Sequence, residues 1–242
     1  DPNFPEIPKI TPGESQPDSE RVSSFVYPGG ILAVHAKGRG KDEIWAALKN
    51  KNVYGTSGPR ILLWFDLINS PEGQVPMGSE ITMSQNPRFI VRAAVSFKQK
   101  SGCSNESIDS LSAKRLDYLC AGECYNPSNQ REVIEKIEVI KITPQVYAGE
   151  AVSPLIQDPW KSIPCQGKGE CIAEFEDQDF SRDSVYYVRA IQNPTPAING
   201  SPLSQRDNFE LCKGSFRTDL EDDCLSMTNE RAWSSPIYID KP

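Results

Sequence analysis

The stretch Phe89-Ile-Val-Arg-Ala-Ala-Val-Ser-Phe97 decides the fold class. Phe89, Val91, Ala93, Val95 and Phe97 fall on one side of an extended chain, the alternation that a half-buried strand requires. Runs of the same kind recur outward from it, at Ile61–Ile68, Ile134–Thr143, Cys171–Glu176, Ser184–Gln192 and Trp233–Asp240, each bounded by turn-forming clusters. In the third run Ile137, Val139 and Lys141 lie opposite Glu138, Ile140 and Ile142, so both faces are expected to be covered. In the last, Trp233 and Ile237 share a side and Pro236 marks an edge or a bulge. Strands with long irregular insertions and no alternating helices predict a mainly β protein, an immunoglobulin- or fibronectin-like β-sandwich. Tyr186 or Tyr187 is the candidate for a tyrosine corner.

Two helices are expected around these strands. Ile44, Trp45 and Leu48 share one face of a short segment from Asp42, the expected N-cap, to Asn50, with Lys49 and Lys51 near its negative end. A helix of that length needs something to pack against. Ile108, Leu111, Leu116, Leu119 and Cys120 form a looser stripe between Ser107 and Gly122, read as an inserted helix. Residues 1–26 are rich in proline and read as a linker or strap, residues 27–59 as a short αβ segment, and residues 60–242 as the β-sandwich domain.

Charge and composition exclude several functions. The chain has 242 residues and a net charge of -7, which gives no electrostatic grip on nucleic acid. Its longest apolar run, Ile61-Leu-Leu-Trp-Phe65, is far shorter than the roughly 20 residues of a membrane span. His35 is the one histidine, so a multi-histidine metal centre cannot be assembled from this sequence by itself. The chain starts at Asp1 without a signal-peptide pattern, and it reads as a processed or truncated product. Glu174–Asp179 and Asp219–Asp223 are acidic groups of the kind calcium favours. Neither matches an EF-hand loop, and solvated acidic loops are the plainer reading.

The seven cysteines are Cys103, Cys120, Cys124, Cys165, Cys171, Cys212 and Cys224. Cys165 with Cys171, and Cys212 with Cys224, each flank a local loop and are expected to bond. Each bridge would contribute about 2–3 kcal/mol through loop entropy. Cys103 is left to Cys120 or Cys124. A disulfide framework is preferred to a thiolate zinc site because no short-spaced ligand pairs are present, and it places the chain in the periplasm or outside the cell. Asn105-Glu-Ser and Asn199-Gly-Ser are glycosylation sequons.

Tyr27-Pro-Gly-Gly-Ile-Leu-Ala-Val-His35, Asp42-Glu-Ile-Trp-Ala-Ala-Leu-Lys49 and Val53-Tyr-Gly-Thr-Ser-Gly-Pro-Arg-Ile61 carry a family resemblance, joined by Cys120-Ala-Gly-Glu-Cys-Tyr125, Ile134-Glu-Lys-Ile-Glu-Val-Ile140, Tyr186-Tyr-Val-Arg-Ala190 and Arg231-Ala-Trp-Ser-Ser-Pro-Ile237. In this order they resemble an uncharacterised exported family related to the PHP (polymerase and histidinol phosphatase) metallohydrolases. The resemblance implies that residues 27–59 complete a metal-binding barrel supplied by upstream sequence, with the divalent metal held there and no cofactor in this chain. The chain departs from the pattern at His35-Ala-Lys-Gly38, where relatives tend to have Trp-Ala-Glu-Glu. The chain would then be the structural and positional carboxy-terminal portion of a phosphoesterase-type hydrolase, inactive alone, with that upstream barrel as its partner.

Four residues are the substrate-facing candidates. His35 would stand at the mouth of the barrel, although a packed, hydrogen-bonded histidine is the plainer reading. Thr56 and Ser57, in Tyr54-Gly-Thr-Ser-Gly-Pro59, have the hydroxyls and backbone N–H groups for a phosphate, against a plain turn. Arg60 would hold an anion or simply start a strand. The Gly-x-Ser-x-Gly frame of serine hydrolases is absent. The rival expectation is a free-standing extracellular module whose sandwich loops bind a glycan, a peptide or a surface partner, favoured if Trp160 or Tyr147 stands exposed on a loop. Exposure of Ile44, Trp45 and Leu48 would instead point to a missing partner.

Overall fold

The computed structural model describes residues 29–120, 124–197 and 226–242. In chain order these hold β1 (Ile31–Val34), helix α1 (Lys41–Lys49), β2 (Val53–Thr56), β3 (Leu62–Ser70), β4 (Gly73–Pro76), β5 (Glu80–Thr82), β6 (Arg88–Ala94) and β7 (Phe97–Ser101). Helices α2 (Asn105–Ser110) and α3 (Ala113–Cys120) follow, then β8 (Tyr125–Arg131), β9 (Ile134–Ile142), β10 (Ile156–Pro164), β11 (Glu170–Glu176), β12 (Ser184–Gln192), β13 (Thr195–Ala197), β14 (Ser226–Thr228), β15 (Arg231–Ser234) and β16 (Ile237–Asp240). The protein is mainly β, as its alternating runs predict.

An eight-stranded sheet and a four-stranded sheet carry the core. In the large sheet, β12 pairs with β9 on one side. On the other it pairs with β15 over Arg189–Ile191 and with β16 over Ser184–Tyr186. Beyond β15 lie β2 and then β1; beyond β16 lies β5; beyond β9 lies β10. The small sheet runs β11-β6-β3-β4. Alternation decides which side chains meet between them: Leu63, Phe65 and Leu67 of β3 and Phe89, Val91 and Ala93 of β6 join Ile137, Val139, Tyr186, Val188 and Ala190 in one buried cluster. The Phe89 and Tyr186 rings, one from each sheet, lie 4.8 Å apart. Ile140, on the opposite face of β9, is also fully buried, so this strand is covered on both sides.

Several local expectations are corrected. The run from Phe89 does not continue to Phe97: it leaves the sheet after Ala94, and Phe97 is exposed in the β7–β8 ribbon with the Arg131 guanidinium 4.2 Å from its ring. Trp233 and Ile237 do not share a side in one strand. The Ser235-Pro236 break separates β15 from β16 and resets the alternation, so Ile237 enters the core while Trp233 stays half-buried outside it. The single helix expected over Ser107–Gly122 is two, divided at Leu111-Ser112. Ser104 caps the first through the Ser107 N–H, and Ser112 accepts from the Arg115 N–H at the start of the second. Ile108, Leu111 and Leu119 are exposed rather than packed. Helix α1 is capped by Gly40, with Asp42 in its first turn beside the positive helix end.

Cys165 bonds Cys171 across the link from β10 to β11, and so between the two sheets. Of the partners open to Cys103, the structure has Cys124, which closes the base of the excursion carrying α2 and α3. Cys212, Cys224, Asn199 and Asp219–Asp223 lie outside the described residues.

Candidate functional site

Residues 29–60 hold all four candidate residues, and their geometry follows from the β1–β2 pair. The register sets Ile31 opposite Thr56 and Val34 opposite Val53, and α1 fills the connection between the two strands. β2 also pairs with β15, Thr56 opposite Ala232 and Tyr54 opposite Ser234, so this segment lengthens the large sheet.

His35, opposite Asn52, and Ser57 lie at opposite ends of this pair, roughly 16 Å apart along the strand. His35 Nε2 is 2.8 Å from the Leu63 carbonyl oxygen, which accepts only, so Nε2 carries the hydrogen. The imidazole stands between the rings of Tyr54, 5.2 Å away, and Trp64, 5.7 Å away. Thr56 is buried, and its hydroxyl accepts from the Gly58 N–H at 3.3 Å. The Ser57 hydroxyl donates to Glu230 Oε2 and accepts from the Arg231 N–H at 2.9 Å, while its own N–H donates to the Arg231 carbonyl at 3.0 Å. His35 therefore ties residues 29–60 to β3 and Ser57 ties them to β15, and no imidazole stands near Ser57 to activate it. Arg60 is exposed and has no ion-pair partner among the described residues.

The far end of α1 is held as firmly. Lys51 takes a left-handed φ of 59°, and its ammonium pairs with Glu80 Oε1 at 2.5 Å beneath the Tyr238 ring. The hydrogen bond to Glu80 raises the Lys51 pKa above its ordinary value. The Asn52 amide donates to the Met77 carbonyl at 2.9 Å. Gly78, at φ 90°, lets the β4–β5 turn approach: a Cβ there would lie 2.5 Å from the Lys51 carbonyl oxygen.

Among the described residues, the face of α1 expected to be apolar stands exposed. Ala47 is the buried residue of the helix, whereas Ile44 is 38%, Trp45 66% and Leu48 37% exposed. Ile31 and Leu32 of β1 are exposed as well. The two aromatics expected on loops divide, and Trp160 lies within β10 instead of on a loop. Trp160 packs within 6.2 Å of Phe175 and 5.9 Å of Tyr186, whereas Tyr147 is exposed beside Val146.

Sequence reasoning missed a polar centre inside the core. Lys141 Nζ and the Tyr186 hydroxyl both donate to Asp177 Oδ2, and the Asp179 N–H donates to Oδ1 at 3.1 Å. Asp177 is 1% exposed, so this member of the acidic loop is engaged internally instead of being open to solvent or calcium. Burial pushes the Tyr186 hydroxyl pKa far up, and its bond to Asp177 pushes the same way. Its partner is a side-chain carboxylate, which separates it from the backbone-bonded tyrosine corner. The available signal was Lys141 itself, a cation on the buried side of an alternating strand, which must find an anion. On the outer face, Arg189 joins Glu138, 2.9 Å away, and Asp158. Burial raises the Glu138 carboxyl, but its hydrogen bond from Lys136 and the Arg189 charge outweigh this and hold it below the usual range. Among the described residues, no three His, Cys, Asp or Glu side chains gather to hold a metal ion. No described helix is long and apolar enough to cross a membrane.

Fold and site together define a disulfide-bonded, mainly β protein in which Ile44, Trp45 and Leu48 of α1 form an exposed apolar face. The chain belongs to the family described as protein of unknown function (DUF3604), whose model matches residues 7–101 and 161–241, more than half its length. The unmatched stretch, 102–160, contains α2, α3, β8, β9 and most of β10. No curated protein and no solved structure matches the chain.

Proposed function

We propose that this chain is the carboxy-terminal accessory portion of a PHP-like, metal-dependent hydrolase of phosphoesterase type. Its role there is structural and positional, with the divalent metal held in an upstream barrel. The observation that carries the reading is the exposure of Ile44, Trp45 and Leu48 on a helix too short to persist without packing. Residues 29–60 are fastened by their other side through His35, Ser57, Lys51 and Asn52, which leaves this face free for a partner. The two sheets with their common core are taken as an immunoglobulin- or fibronectin-like β-sandwich, and the two disulfides support residence in the periplasm or outside the cell.

The alternative, a free-standing extracellular module binding a glycan, peptide or surface partner, draws on exposed Tyr147 and loses Trp160, whose ring is packed. The two are separated by phosphoester hydrolysis with added divalent metal, comparing this chain with the polypeptide as its source organism makes it. Turnover is expected from the native polypeptide alone. Hydrolysis by the purified 242-residue chain would overturn the accessory role.

A further inference from the structure

Five edge strands bound the two sheets among the described residues: β1, β5 and β10 on the large sheet, β4 and β11 on the small one. An edge strand turns half of its main-chain N–H and C=O groups outward, and proteins blunt such edges with charge, proline, bulges or shortness. Four of the five are blunted in these ways. β10 carries Asp158, Pro159, Lys161 and Pro164, with a register break between Gln157 and Lys161. β11 carries Glu170, Glu174 and Glu176; β4 ends in Pro76; β5 is three residues long and starts with Glu80. β1 reads Ile31-Leu-Ala-Val34, without charge, proline or bulge.

The register says which groups of β1 are open. His35 donates its N–H to the Asn52 carbonyl at 2.9 Å, so residues 35, 33 and 31 bond inward to β2, and Leu32 and Val34 turn their N–H and C=O groups outward. Leu32 of this strand is 61% exposed, and Trp45 of α1, the helix that follows it, is 66% exposed. Main-chain groups in a row with apolar side chains next to them are the chemistry that recognises an added strand.

We propose that β1 accepts an extended strand from the preceding portion of the polypeptide, paired to the main chain of Leu32 and Val34, with alternate apolar side chains against Leu32 and Trp45. The proposal rests on the accessory-portion reading and names how that portion docks. The occupant follows from chain continuity: residues 1–28 enter the described structure at Gly29, two residues before β1, so whatever precedes them is tethered beside the open edge. Tethering makes docking intramolecular, at effective concentrations on the order of millimolar.

Residue-resolved amide exchange by NMR, on the 242-residue chain and on the native-source polypeptide, tests this. In the 242-residue chain the Ala33 and His35 amides are expected to be protected and those of Leu32 and Val34 to exchange freely. In the native polypeptide the latter two should slow about 100-fold. Leu32→Pro, which removes an outward N–H, should abolish the added protection of Val34 while Ala33 stays protected; Leu32→Lys, which keeps the N–H but charges the edge, is the second variant should the proline disturb the hairpin. Oxidation of Trp45 is read in parallel. If Trp45 becomes shielded while Leu32 and Val34 still exchange freely, the portion docks but adds no strand, and this proposal fails alone. If neither changes, the accessory-portion reading fails with it. Protection already present in the 242-residue chain at high dilution assigns the edge to residues 1–28, and protection that grows with concentration assigns it to a second copy; either result overturns the proposal.

Discussion

Replacing Lys141 by Met probes the core most severely. Its ammonium and the Asp177 carboxylate are in hydrogen-bond contact, with side chains 10% and 1% exposed, so solvent screens them little. At an effective dielectric of about 20, opposite charges about 3 Å apart attract by roughly 5 kcal/mol, most of which offsets their desolvation. Removing one partner loses the attraction and keeps the other's desolvation, a cost of about 3–5 kcal/mol. Lys141→Met leaves an uncompensated carboxylate, and Asp177→Asn leaves an uncompensated ammonium. In the double variant no charge remains, and the amide oxygen that replaces the Asp177 carboxylate still accepts from the Tyr186 hydroxyl. Its loss should therefore fall short of the summed single losses by at least about 2 kcal/mol, within the range of coupling in contacting pairs. Urea unfolding of the four proteins with disulfides intact supplies the values, provided the denaturant slope is unchanged. Additivity within about 0.5 kcal/mol would refute the reasoning.

Other expectations follow from the same geometry. Gly78→Ala should cost at least about 1–3 kcal/mol, because it combines a positive φ with a Cβ 2.5 Å from the Lys51 carbonyl oxygen; a neutral effect on the urea midpoint would show that the turn is not pinned there. Tyr186 is protonated more tightly folded than unfolded, so stability is expected to hold up to the ordinary tyrosine value of about 10 and to fall as pH rises beyond it. A slope identical in Tyr186→Phe would dissociate Tyr186 from that loss. Glu138 is held below the usual carboxylate range, so its contribution is present above about pH 4.5 and disappears as acid titrates the folded protein; Glu138→Gln should flatten the acid limb measured by circular dichroism, and an unaltered limb would remove Glu138 from the account. Trp45→Ala should change the stability of the 242-residue chain by less than about 0.5 kcal/mol, because the ring is mostly exposed; a larger loss would mean that it packs within the chain.

Much of the β framework is legible in the sequence because alternation is a local signal. Ser184–Gln192 is a strand over that whole span, and Phe89, Val91 and Ala93 face inward as their spacing requires. What fails is also local: alternation does not announce where a strand leaves its sheet, so it misplaces Phe97 and Trp233, beside a break at Val95-Ser96 and a reset at Ser235-Pro236. The helical stripe at Ile44, Trp45 and Leu48 specifies the helix but cannot say whether anything covers it. The Lys141–Asp177–Tyr186 centre is the least legible. Lys141 lies 36 residues from Asp177 along the chain, and an acidic loop looks the same in sequence whether its carboxylates face water or a buried ammonium.

The central claim, that the α1 face is an interface in the native polypeptide, is tested most directly by hydroxyl-radical footprinting at Trp45. Its oxidation should be about tenfold slower in the native-source polypeptide than in the 242-residue chain, where the ring is 66% exposed. Equal oxidation in the two would contradict the claim.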